Sequence, residues 1–466
     1  MRQDLLLLLT FFSLLSCGDT SDEPTDAWIG GEIVNPKYDY VVLMKDRQII
    51  DTMHLDENNF FRYHIDSVEE GLYTFHHGEY QIMHFSPGDS LLLRVNTTEF
   101  DESLSYSGEG ARKNNLLIDF FLQNERENQL LPQFYSLSPE AFEKKIDSLT
   151  EERKKFFDVY LKKEESSESF VDVIDANIKY DQLSKKELYI ARHSKKMSGT
   201  DLQEIPASFY EHRKNIDYNN ELLKNYYSYF RFLNRLFDNL AYDKYKNEES
   251  YDRYSYTHTK YKLGIIDSLV ESQLLQNSLS RTNTRRYLLR AGDPEETQEI
   301  YSLFEKLNKD NADIAEINSL KQSVENLMPS KLIPNVKLVT VDNTLKDLRS
   351  AITKPSVLFF WTTESSVHYQ NIHTKAAELR EKYPEYQFIG INTDTHFRKW
   401  RSIVRALGYN DQLEFQIEDI ENAQQALVLS SISKSLIVDE NGIILEHHTN
   451  LFRPELETQL LGYINE

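Results

Sequence analysis

A single thiol, Cys17, stands in the 466 residues of this chain. One sulfur cannot close an internal disulfide, complete a zinc cluster or form a dithiol redox couple, so apolar packing and hydrogen bonds must hold whatever folds here. At roughly 150 residues per domain there is room for about three domains, each with a core of its own. Gly at 15 and Pro at 12 fall well below the usual shares, while aromatic residues reach 12%, which excludes low-complexity and fibrous classes. Lys plus Arg is 53 against 75 Asp plus Glu, a net charge of -22. Such a surface repels phosphate backbones instead of releasing their counterions, so no nucleic-acid partner is expected.

The position of Cys17 carries further meaning. Arg2 is followed by an apolar run from Leu5 to Leu15, too short for a membrane-spanning helix of about 20 residues but suited to a signal-peptide core. The run ends in Leu14-Leu15-Ser16-Cys17-Gly18, which resembles the lipobox of bacterial lipoproteins. That resemblance implies a signal peptide over residues 1–17 and a lipidated Cys17, whose acyl chains would hold the protein on a bilayer at about 0.8 kcal/mol per buried methylene. Residues 18–27, Gly18-Asp19-Thr20-Ser21-Asp22-Glu23-Pro24-Thr25-Asp26-Ala27, form an acidic tether that cannot bury apolar surface. An acidic stretch behind such a Cys is also similar to the outer-surface export tag of some Gram-negative lipoproteins. The expected location is the cell envelope, as an outer-membrane lipoprotein facing the periplasm or the cell surface.

Residues 28–110 read as short alternating strands bounded by turns, among them Trp28 to Val34, Tyr40 to Met44, Gly71 to Phe75 and Ser90 to Val95, with Ser86-Pro87-Gly88-Asp89 as a turn. Strands at this spacing predict a small antiparallel β-sandwich. The early glycines, the pair Phe60-Phe61 and the Pro-Gly-Asp turn resemble a β-sandwich domain of unknown function that precedes thioredoxin-like domains in envelope lipoproteins. Residues 111–330 hold few Gly or Pro and predict a helical domain. Leu222, Leu223, Tyr226, Tyr227, Phe230, Leu233, Phe237, Leu240 and Ala241 recur at helical steps. The Tyr-rich stretch from Tyr210 to Tyr261 suits helix packing with hydroxyls at the solvent edge, or a groove for a partner.

Residues 333–466 alternate strand and helix. Strands are predicted at Val336–Thr340, Ser356–Trp361, Gln387–Asn392 and Ser435–Val438, and Asn441-Gly442 signals a hairpin into Ile443-Ile444-Leu445. Ile372, Ala376, Leu379 and Tyr383 mark one helix face, and Trp400, Val404 and Leu407 another. The order predicts a multidomain α/β protein: an N-terminal antiparallel β-sandwich, a helical middle and a C-terminal sheet covered by helices. The co-linear set of Val357 to Thr363, Gly390-Ile391-Asn392-Thr393-Asp394, Trp400 and Leu436 to Gly442 resembles a thioredoxin-like domain of the TlpA/ResA type. Members of that family are membrane-anchored extracytoplasmic thiol-disulfide oxidoreductases.

The resemblance implies a Cys-x-x-Cys where this chain reads Ser365-Ser366-Val367-His368, and a cis-proline where it has Ser433. A helix N-terminus stabilises a thiolate, but a serine alkoxide is out of reach near neutral pH and oxygen forms no stable disulfide. A cis peptide before Ser433 would cost about 2.5 to 4 kcal/mol, so a trans bond and a reshaped loop are expected. Trp361, Thr363 and Glu364 would border the groove. No catalytic residue, cofactor or metal is expected. Ser365 with His368 superficially resembles a nucleophile and base, but a helix-capping serine is the stronger reading. His368 and His373 are five apart on a helix and His76-His77 and His447-His448 are strand neighbours, so none of these pairs shares a face. Asn96-Thr97-Thr98 fits a glycosylation sequon that is incidental behind a bacterial lipobox.

Three functions follow: a lipid-anchored envelope module that binds a protein or ligand without thiol turnover, an oxidoreductase working through partner thiols or a bound cofactor, or a surface glycan- or peptide-binding lipoprotein.

Overall fold

The computed structural model describes residues 25–194 and 204–464. Cys17, the apolar run before it and most of the tether lie outside the described residues. The described chain forms two compact units. One holds the residues up to Phe134 together with Thr150–Ile178, and the other holds Tyr135–Leu149 together with the residues from Lys179 on.

In the first unit lie β1 (Ala27–Val34), β2 (Tyr40–Lys45), β3 (Gln48–His54), β4 (Phe60–Ile65), β5 (Gly71–His77), β6 (Glu79–Phe85), β7 (Ser90–Asn96), the short helix α1 (Phe100–Ser103) and β8 (Ser105–Glu109). They make two four-stranded sheets, β4-β1-β7-β8 and β3-β2-β5-β6. Alternation does the sorting: β7 buries Leu91, Leu93 and Val95 and exposes Ser90, Leu92 and Arg94. Ile29 and Leu93 from one sheet share a core with Leu43, Phe75 and Phe85 from the other, and Ile118 of α2 (Ala111–Phe134) joins them. One part of the antiparallel expectation is corrected: β1 and β7 run parallel. Sequence alternation sets which face is buried and leaves the direction of a non-consecutive neighbour open.

Two long helices, α3 (Pro139–Leu161) and α4 (Glu168–Ser194), contribute to both units. The second unit continues through a 3₁₀ segment at Ala207–Asn215 into α5 (Tyr227–Tyr245), α6 (Tyr256–Leu269), α7 (Gln273–Leu288), α8 (Pro294–Leu307) and α9 (Asn311–Glu325). The helical stripe expected from Leu222 begins only at Tyr227. Leu223 and Tyr226 are nonetheless buried, as are Tyr229, Leu233, Phe237 and Ala241. One buried carboxylate inside the bundle is fully paired. Glu187 accepts from His212, Arg213 and Asn239; burial alone would raise its pKa, but these donors hold it down to about 2.

From residue 337 the chain forms β9 (Lys337–Val339), β10 (Leu345–Asp347), α10 (Leu348–Ala351), β11 (Ser356–Trp361), α11 (Ser366–Lys382), β12 (Gln387–Asn392), α12 (Phe397–Ala406), β13 (Glu414–Ile417), α13 (Ile420–Ala426), β14 (Ser435–Val438), β15 (Ile444–Thr449) and α14 (Glu455–Ile464). The sheet order is β10-β9-β13-β12-β11-β14-β15. Strand β12 runs parallel to β11 and β13, while β14 runs antiparallel to both β11 and β15. This is a thioredoxin-like arrangement. Every residue of β11, β12 and β14 is buried, which is why their interiors read as apolar runs between polar ends. Leu407, expected on the buried face of α12, is 45% exposed because the helix ends at Ala406.

Candidate functional site

The topology brings Ser365 and Ser433, the positions where the sequence resemblance implies a dithiol and a cis-proline, to one end of the sheet. Strand β11 stops at Trp361 and α11 starts at Ser366. Because β14 is antiparallel to β11, with Ser435 opposite Phe359, the segment carrying Ser433 enters beside the turn that carries Ser365.

Ser365 is the N-cap of α11, its hydroxyl accepting the His368 amide N–H at 3.4 Å. Ser366 is exposed, and Val367 is 69% exposed. Both ring nitrogens of His368 are buried with no hydrogen-bond partner. Burial, with a smaller contribution from His373, lowers the pKa of His368 below the usual imidazole value. Since the ring bonds to nothing, no Ser365–His368 couple exists, and the first requirement of an activated nucleophile is unmet.

On the facing loop the peptide bond before Ser433 is trans, and the Ser433 amide donates to the Ser431 hydroxyl at 3.3 Å. The anchor of this loop is its neighbour. Lys434 is buried, and its Nζ donates to the carbonyls of Leu427 at 2.8 Å and Val428 at 3.1 Å. These are carbonyls that the end of α13 leaves without helical partners. Burial, opposed in part by Glu446, pushes the Lys434 amine down to about 7. Val428 itself sits at φ 48°, a left-handed conformation that is strained for a β-branched residue.

The remaining expected groove residues divide. Glu364 is exposed and Thr363 is buried. The Thr363 N–H donates to Asp394 Oδ2 at 2.6 Å, the Thr362 hydroxyl bonds Asp394 Oδ1, and the Asn392 amide donates at 3.0 Å. Burial would raise Asp394, but these donors outweigh it and hold the carboxyl below its ordinary value. Asp394 therefore clamps the β11–α11 turn. Trp361 does not border an open groove: it is fully buried, and its indole N–H donates to Glu414 Oε2 at 3.1 Å.

That bond reveals a cluster the sequence reading missed. Glu414 is 3% exposed, and its Oε1 lies 3.1 Å from His373 Nε2. His373 Nδ1 faces the Tyr369 carbonyl at 2.6 Å, and the Tyr409 ring stacks on the imidazole at 3.7 Å and 3°. Both ring nitrogens thus face oxygen atoms. Room for the carboxylate comes from Gly390, where a Cβ would fall 2.3 Å from Glu414 Oε1. A glycine inside an otherwise bulky strand was the available sign. Among the described residues no group of three or more His, Cys, Asp or Glu side chains could hold a metal, and no helix is long and apolar enough to cross a membrane.

Comparison with known proteins gives a consistent but partial likeness. No family model and no curated protein matches the chain. Solved structures match about 30% of the chain. A Bacteroides vulgatus protein assigned as a thiol-disulfide oxidoreductase is 18% identical, covering 29% of this chain and 97% of its own length, with a TM-score of 0.26. A domain from Cytophaga hutchinsonii assigned as a thiol-disulfide isomerase is 19% identical, covering 30% and 95%, with a TM-score of 0.27. A Chlorobium tepidum protein assigned as the thiol:disulfide interchange protein DsbE is 20% identical, covering 29% and 97%, with a TM-score of 0.25.

Proposed function

We propose that this chain is a lipid-anchored envelope protein whose thioredoxin-like domain binds a protein or small-molecule partner without thiol turnover, and whose two N-terminal sheets form a sandwich domain ahead of it. One observation carries the reading. At the start of α11, where a dithiol would sit, Ser365 is committed to capping the helix and the His368 ring engages no partner. Neither group can take or pass electrons, and Cys17 is the only thiol in the sequence. The facing loop supports the same conclusion, because Lys434 is spent on two backbone carbonyls.

The test is turnover. The purified mature protein is expected to leave insulin and glutathione disulfide unreduced in the presence of an electron donor, and sustained reduction would overturn the proposal. The anchor is tested separately. Cys17→Ala should abolish incorporation of labelled fatty acid and move the protein from the membrane to the soluble fraction; unchanged membrane attachment would refute lipidation at Cys17.

A further inference from the structure

We propose that the cavity between α11 and the turn after α12 binds a small monocarboxylate with a short apolar body. The cavity encloses about 520 Å³, within the range of small-molecule sites. Its floor is the His373–Glu414 pair, and Ala377, Leu407 and Tyr409 supply apolar wall. A buried carboxylate on the floor would ordinarily repel an anion. Here both of its oxygens are already engaged, Oε1 by His373 Nε2 and Oε2 by the Trp361 indole N–H.

The uncompensated charge is Arg380, which also lines the cavity. Its Nε is buried and has no hydrogen-bond partner, and among the described residues no carboxylate pairs with its guanidinium. A guanidinium desolvated on one side and unmatched is costly until an acceptor arrives, and a carboxylate fits its fork with two parallel bonds. Asn410 adds a donor: its side-chain oxygen is taken by the Gln412 amide at 3.0 Å, leaving the NH₂ group for a ligand. Gln370 lines the same cavity. Thr374 does not serve, because its hydroxyl already donates to the Gln370 carbonyl at 2.9 Å.

The site is independent of the Ser365 turn and does not rest on the function proposed above. Isothermal titration of the mature protein with hexanoate, and with hexanamide as its uncharged counterpart, tests it. Hexanoate should bind and hexanamide should not, and Arg380→Gln should weaken hexanoate by about tenfold or more, the worth of a charge-assisted bidentate contact. Arg380→Lys, which keeps the charge and loses the fork, should fall between. Absence of hexanoate binding, equal binding of hexanamide, or an unchanged affinity in Arg380→Gln would each overturn the proposal. If Arg380→Gln failed to fold, the comparison of the two probes on the unaltered protein would still decide.

Discussion

Replacing Glu414 by Gln keeps the side chain's shape and removes its charge, and the consequences can be worked out bond by bond. The carboxylate accepts from His373 Nε2 and Trp361 Nε1, both at 3.1 Å, in a site 3% exposed. Two opposite unit charges at that separation attract by about 5 kcal/mol at an effective dielectric of about 20, before desolvation is counted. Glutamine offers one oxygen and one NH₂ group, so one of the two N–H donors must face a donor, at about 1–3 kcal/mol. The expected destabilisation is the about 3–5 kcal/mol typical of breaking one side of a buried pair. Two of the three tryptophans, Trp361 and Trp400, lie fully buried in the C-terminal sheet domain, so urea unfolding followed by tryptophan fluorescence reports on it. With a slope of about 2–3 kcal/mol/M, the midpoint should fall by about 1–2 M. His373→Phe added to Glu414→Gln should cost less than the sum of the single changes, by about 1–3 kcal/mol. A midpoint unchanged in Glu414→Gln, or strictly additive losses, would show that the pair is not the anchor described here.

Other perturbations probe other parts. Gly390→Ala places a Cβ 2.3 Å from Glu414 Oε1 and should destabilise the same transition by about 1–3 kcal/mol, with the loss reduced when Glu414 is also truncated. Ser365→Ala should cost about 1 kcal/mol through the lost cap while Ser365→Asp restores it, as thermal melts of the two variants would reveal. His84 is buried in the first unit, and burial followed by the nearby Lys113 lowers its pKa to about 4. The folded value lies below the unfolded one, so the unfolded chain binds more protons between pH 4 and 6.5, and stability rises with pH across that window by about 3 kcal/mol; His84→Phe should flatten that slope by about one proton in pH-dependent urea titrations. Lys434 behaves in the same sense at higher pH. Its folded value of about 7 lies below the ordinary lysine value, so stability should rise as pH increases from about 7 toward 10.5, and Lys434→Met, compared with the unaltered chain over that range, should lose the dependence.

The C-terminal strands were legible because burial on both faces forces apolar interiors: Ser356–Trp361, Gln387–Asn392 and Ser435–Val438 coincide with β11, β12 and β14. Strand β13 was not, since Glu414 and Gln416 interrupt its apolar character and only their hydrogen-bonded partners make them tolerable inside. Local chemistry at a helix start pointed to Ser365 or Ser366 as the cap, and Ser365 is the one that takes the role. The groove role of Trp361 did not survive, because a tryptophan at a strand end can turn inward once a distant carboxylate offers its indole N–H an acceptor.

Taken alone, the order of residues decided what is local or compositional: periodicity placed helices and strands, and the lack of cysteine beyond position 17 removed dithiol chemistry from the start of α11. Only the tertiary structure decided which polar groups meet. Glu414 and His373 are 41 residues apart, and Trp361 lies 53 residues before that glutamate. Their encounter depends on strand order and on the space Gly390 leaves. Periodicity carries burial, but the pairing of buried charges is a property of the folded chain's three-dimensional contacts, and no nearest-neighbour rule along the sequence contains it.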